Sequence, residues 1–101
     1  MIVLHATFPI DPERMDEALD HAETLVAETN EEPGVIDYRA TRDVEDEHTL
    51  RFFEQYEDAA ALEHHEETDH FQAFEAALPD LLAGEPEVIQ FEVSEATELE
   101  L

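Results

Sequence analysis

The chain has 101 residues, 29 of them Asp or Glu against 4 Lys or Arg, a formal charge of −25 at pH 7, no Cys, no Trp and 43% hydrophobic residues. Its length suits one domain spanning residues 1–101, and the lack of cysteine excludes disulfides, thiolate metal centres and a Cys nucleophile. So acidic a surface repels phosphate backbones and anionic lipid heads, which argues against nucleic-acid and membrane partners and leaves a small molecule or a second copy of the chain.

Ile2 to Phe8 reads as a buried first strand bounded by Pro9 and Pro12, with apolar even positions and with His5 and Thr7 on the opposite face. No basic segment precedes it, so the opening does not read as a signal peptide. From Pro12 to Thr29, the residues Met15, Ala18, Leu19, Ala22, Leu25 and Val26 fall on one helical face, with Asp11 as N-cap and Pro12 at the first helical position. Glu31 to Gly34 forms a turn. Val35–Val44 and His48–Tyr56 are two further strands, and the acidic tip Glu45-Asp46-Glu47 between them predicts an antiparallel hairpin. Ala59 to Leu62 opens a helical region that continues through Phe71, Phe74, Leu78, Leu81 and Leu82, with a break expected at Thr68 and Asp69. Gly84 and Pro86 end it, and Glu87–Ser94 is the last strand. No run is long enough to span a bilayer.

The order β-α-β-β-α-β, with its second helix split in two, is that of an α+β ferredoxin-like unit. Helices cover one face of such a sheet. The chain has no second layer for the other face, so face-to-face pairing into a homodimer is expected. The four basic residues are all Arg (Arg14, Arg39, Arg42, Arg51), while acids fill the helix positions turned to solvent. This resembles the surface of an extreme halophile's cytoplasmic protein, whose carboxylate repulsion is screened in molar salt, where the Debye length is about 3 Å; an ordinary acidic mesophilic protein is the alternative.

Glu32-Pro33-Gly34 with Tyr38, then Glu54, Leu62, His65, His70 and Phe71, stand at the spacings of the strings E-x-G-x-x-x-Y, E-x-W-x-s, a-L-x-x-H and t-p-H-F. In these anchors, spread over most of the chain, it resembles the antibiotic biosynthesis monooxygenase family. It departs from the pattern at Tyr56, where Trp is usual, and at Asp69, where Pro is usual. The resemblance implies a dimeric α+β barrel with a pocket in each subunit, and cofactor-independent oxidation of a small phenolic or quinol substrate by dioxygen. Other members degrade haem, isomerise a signalling sugar or have no known activity, so the family fixes the fold better than the reaction. Haem degradation is disfavoured, because those members rely on a Trp that this chain lacks.

His65 suits a proton acceptor that turns a phenol into the electron-rich anion that reacts with oxygen; packing between helix and sheet is the alternative role. Tyr38 and His5 are its candidate assistants, His5 from the strand face expected to line the pocket. Arg51, Tyr56, His70, Phe71 and Phe53 complete a candidate substrate-binding set. In it Arg51 is the best candidate for a buried cation, either meeting a substrate oxyanion or pairing with Glu54 or another acid. His21 and His64 face the acidic helix surface. His65 and His70 are five apart rather than four, no H-E-x-x-H string occurs, and the two glycines make no phosphate loop, so no metal and no nucleotide cofactor is expected. The expected function is a cofactor-free monooxygenase, with a non-catalytic small-molecule-binding or stress-related dimer, or an isomerase using the same His, as alternatives.

Overall fold

The alternation along the strands and the 3.6-residue period of the helices decide which side chains face inward. The computed structural model describes residues 1–101. In chain order it contains β1 (Ile2–Pro9), α1 (Met15–Thr29), β2 (Val35–Arg42), β3 (Thr49–Tyr56), α2 (Ala59–Glu66), α3 (Asp69–Leu81) and β4 (Glu87–Glu92), with a 3-10 turn at Pro12–Arg14 ahead of α1. The strands form one antiparallel sheet in the order β2-β3-β1-β4. The fold is α+β and ferredoxin-like, with all three α-helices shorter than a membrane span and none apolar enough to cross one.

In register, Leu4 stands opposite Glu54, Ala6 opposite Phe52 and Phe8 opposite Leu50, while Tyr38 pairs with Glu54 from the other side. These even positions make the helix-covered face. Phe8, Phe52 and Phe74 meet edge-on or tilted, with ring centroids 5.4 to 5.8 Å apart, and α1 adds Met15, Ala18, Ala22 and Leu25. Each such aromatic burial is worth roughly 2–3 kcal/mol. The odd positions carry Val3, His5, Arg51 and Phe53 on the uncovered face, where Phe53, Ile89 and Phe91 are 42%, 41% and 47% exposed.

Several boundaries differ from the sequence expectation, three of them at strand ends. Pro9 belongs to β1 rather than stopping it, because at the strand end its missing N–H is not needed and its carbonyl accepts from Ala83 at 2.9 Å. β2 ends at Arg42, two residues early, where Asp43 accepts from the Glu45 N–H and Asp46 from the His48 N–H, so side-chain turns replace the ladder. β4 ends at Glu92. The break between α2 and α3 falls where expected. The Thr68 hydroxyl accepts from the Phe71 N–H at 3.2 Å and donates to the His65 carbonyl at 2.7 Å, closing one helix while opening the next.

Candidate functional site

The turn after α1 is built to press against α2. Gly34 holds φ at +92°, and a Cβ there would stand 2.8 Å from the Ala61 Cβ, so only glycine allows the close approach. Its carbonyl accepts from the Glu57 N–H at 2.8 Å, and Asn30 donates to the carbonyls of Val26 and Tyr38, tying α1, β2 and the β3–α2 junction together. Glu32 is thereby carried inward, 8% exposed.

Two imidazoles converge on it. The His65 Nδ1, in the last turn of α2, lies 2.8 Å from the Glu32 Oε2, and the His70 Nε2, in the first turn of α3, lies 2.7 Å from the same oxygen. A carboxylate oxygen can only accept here, so each ring presents an N–H to it, and the His65 Nε2 is left as a bare lone pair. That nitrogen is buried without a partner, as is the Glu32 Oε1. On its outer side the His70 Nδ1 is 3.6 Å from Glu28. Burial pushes the His65 imidazole below the ordinary histidine range, against the pull of the hydrogen-bonded Glu32, which keeps the ring neutral near pH 7.

Five positions separate the two histidines, which on one helix would turn them apart. The break at Thr68 reorients the second one. Their donor atoms and that of Glu32 lie within 4.8 Å, a spacing that invites a metal ion. The contacts of 2.7 and 2.8 Å, however, are hydrogen-bond lengths, shorter than the roughly 3.3 Å edges of a tetrahedral shell built on bonds of about 2.0–2.1 Å. As it stands, the cluster fits shared protons rather than an ion.

His65 also lines a cavity of about 250 Å³ between the sheet and α2–α3, walled by Leu4, Ala6, Phe8, Phe52, Leu62, Phe74 and Leu78. Tyr38, Phe71 and Glu54 join it there, with Glu66 and Glu75 also lining it. Tyr38 and Phe71 stack round the imidazole with centroids 5.2 and 5.0 Å away. Glu54 is 7% exposed, and its Oε1 accepts from the Tyr56 hydroxyl at 2.6 Å. Burial raises the Glu54 carboxyl to about 7, opposed by that hydrogen bond and helped by Glu66. Burial first, then the neighbouring carboxylates, pushes both tyrosine hydroxyls well above their ordinary range, so they remain donors.

The structure thus groups His65, Tyr38 and Phe71 at the cavity, with His70 and Tyr56 behind them holding Glu32 and Glu54. His5, Arg51 and Phe53 are elsewhere. The cavity uses the even positions of β1 and β3, so these three odd residues stand across the sheet from it, and the expectation that the His5 face lines the pocket is corrected. Arg51 is 40% exposed rather than buried, and it does pair with an acid, which is Asp43 at 2.7 Å and not Glu54, while also donating to Thr7 at 3.0 Å. Glu32 and Glu54 entered the sequence reading as motif anchors without a site role. For Glu54 the signal was present: a carboxyl at an even position of β3, between Phe52 and Tyr56, has to point into the core.

A ferredoxin-like sheet with a His–carboxyl pair beside a largely apolar cavity makes a candidate small-molecule site. The family model for antibiotic biosynthesis monooxygenase matches residues 1–77. A Bacillus subtilis (strain 168) protein named "Putative monooxygenase YcnE" is 38% identical over 95 residues, covering 94% of this chain and 100% of that one. The solved structure of PA3566 from Pseudomonas aeruginosa is 30% identical with a TM-score of 0.85, covering 93% of this chain and 94% of the other. A Deinococcus radiodurans structure at 18% identity covers 99% of each chain with a TM-score of 0.91 and shows the likeness of fold alone. The chain belongs to the antibiotic biosynthesis monooxygenase family.

Proposed function

We propose that the protein is a cofactor-independent monooxygenase for a small phenolic or quinol-type substrate. The carrying observation is the buried Glu32–His65 pair beside the apolar cavity: Glu32 fixes the tautomer and leaves the bare Nε2 as a proton acceptor in a residue that lines the cavity. Proton removal leaves a phenolate, which reduces dioxygen without flavin or metal. The substrate supplies the electrons, since a hydroquinone and dioxygen give a hydroxyquinone and water. Nε2 is shielded from water, with the half-buried Phe71 ring packed against the imidazole, so access of a substrate to it requires a side chain to move. Family membership and the monooxygenase name of the Bacillus subtilis relative support the reading in broad terms.

Oxygen uptake with a panel of hydroquinones in molar KCl tests it. Uptake by the native protein that falls about a hundredfold or more in His65→Ala is expected. No uptake across the panel from the native protein would sink the proposal. A second reading, isomerisation by proton transfer, is favoured by the presence of an acid, Glu54, and a base, His65, on one cavity; turnover under argon would select it. The exposed Phe53, Ile89 and Phe91 on the free sheet face support a homodimer, and the all-Arg, acid-rich surface supports a cytoplasm of high salt.

A further inference from the structure

The cavity's charged lining is entirely acidic. Glu54, Glu66 and Glu75 border it, while none of the four Arg does. An anionic ligand would therefore enter an apolar chamber with carboxyl groups as its charged neighbours and nothing to neutralise it. Glu66 and Glu75 are exposed and wet, but Glu54 is buried and forms no ion pair. Its protein hydrogen bond is the one its Oε1 accepts from the Tyr56 hydroxyl, so the Oε2 is left without a protein partner in a residue that lines the cavity.

That arrangement fixes where a proton sits. Tyr56, 0% exposed, keeps its own proton and spends it on Oε1, so a proton on the carboxyl group must be carried by Oε2. We propose that Glu54 works as a neutral carboxylic acid whose Oε2–H donates to a carbonyl oxygen of the bound ligand, so that the cavity selects uncharged ring ketones and quinones over carboxylates of the same size. The proposal rests on the oxygenase reading for its ring-shaped ligand and adds the residue that chooses among such rings. Burial that lifts the Glu54 carboxyl to about 7 supplies the donor at neutral pH and withdraws it in alkali. The other titratable groups around it are Tyr56 on its own strand, Tyr38 on β2, His65 and Glu66 on α2, Glu75 on α3, and Glu32 in the turn after α1.

The test is equilibrium binding by calorimetry under argon in molar KCl, using 1-tetralone, 1-naphthoate and naphthalene as probes. The native protein should bind tetralone at pH 6 and lose at least tenfold in affinity by pH 8.5, and it should bind naphthoate at least tenfold more weakly than tetralone at either pH. Glu54→Gln keeps an N–H donor that does not titrate, so tetralone binding should persist with little pH dependence while every other titratable group stays in place. Glu54→Leu should bind naphthalene and lose the preference for tetralone. A flat pH profile in the native protein, an unchanged profile in Glu54→Gln, or naphthoate binding as tight as tetralone would each overturn the proposal. Because no turnover is involved, the oxygenase reading can fail in oxygen uptake while this binding pattern stands, and the reverse result is equally distinguishable.

Discussion

A carboxyl group held neutral by burial makes stability depend on pH. In the native state Glu54 titrates at about 7 against an ordinary 4.5, so between those values the folded chain holds more protons than the unfolded one. Stability from this group is therefore greatest below about pH 4.5 and falls as pH rises through the window, by about 3 kcal/mol in all. Denaturant unfolding at pH 5 and pH 8 in constant molar KCl should show Glu54→Gln more stable than the native protein at pH 8, with a shallower slope between the two. His65 works in the opposite sense: its depressed folded value means that stability is present above the ordinary histidine range and is lost as pH falls through it. Glu32→Ala removes the acceptor from the buried His65 ring and the partly buried His70 ring at once and should cost about 2–4 kcal/mol, read from the same unfolding curves. Residues of this kind are half visible in a sequence. Glu54 stands out as an acid at a buried position once the strands are drawn, whereas Glu32 lies in a turn with no such signal, and the meeting of His65 and His70 on its oxygen depends on a helix break whose angle no spacing encodes.

The elements themselves were readable because local signals agree with the tertiary fold. Asp58 and Thr68 cap their helices, accepting from the Ala61 N–H at 2.8 Å and the Phe71 N–H at 3.2 Å, and the alternation of β1 and β3 puts their apolar sets on one face. What alternation leaves undecided is which face bears the cavity: it places His5 opposite Leu4 and Ala6, as found, but does not say that the pocket lies on the Leu4 and Ala6 side. The turn Glu31–Gly34 is where a single methyl matters most. Gly34→Ala forces a positive φ on a side chain that must also clear the Ala61 Cβ, and a loss of about 2–4 kcal/mol is expected, with the Glu32–His65 bond loosened as α2 moves out. Thermal unfolding gives the first effect, and the His65 ring ¹⁵N shifts give the second. A Thr68→Ala change should cost about 1 kcal/mol.

For the whole molecule the governing quantity is charge. Arg14, Arg39 and Arg51 each pair with an acid, which leaves most of the 29 carboxyl groups with no cation beside them. At 1 M salt the screening length is about 3 Å, and at 0.01 M it is about 30 Å, close to the 35 Å middle dimension of the fold. Dialysis into dilute buffer should lower the melting temperature, with mild acidification restoring part of it. A melting temperature that holds or rises as salt is withdrawn would remove the halophilic reading. This expectation comes from composition alone, whereas the expected pairing of free sheet faces comes from the order of the elements. Light scattering in molar KCl should give the mass of two chains, and Phe91→Asp, which places a charge on that face, should give the mass of one.

The sheet's two faces also divide the chain's future. Along β3 the residues that touch the cavity, Phe52 and Glu54, alternate with Phe53 and Gln55, which touch nothing on that side. With the proposed ligand site on one face and the proposed dimer on the other, adjacent codons would answer to different selective pressures. On those two proposals substrate preference would drift at even positions while assembly drifted at odd ones, with little cross-talk except through the strand backbone. A saturation library of β3 scored separately for ligand binding and for particle mass should show two interleaved combs of sensitive sites, each falling in the gaps of the other.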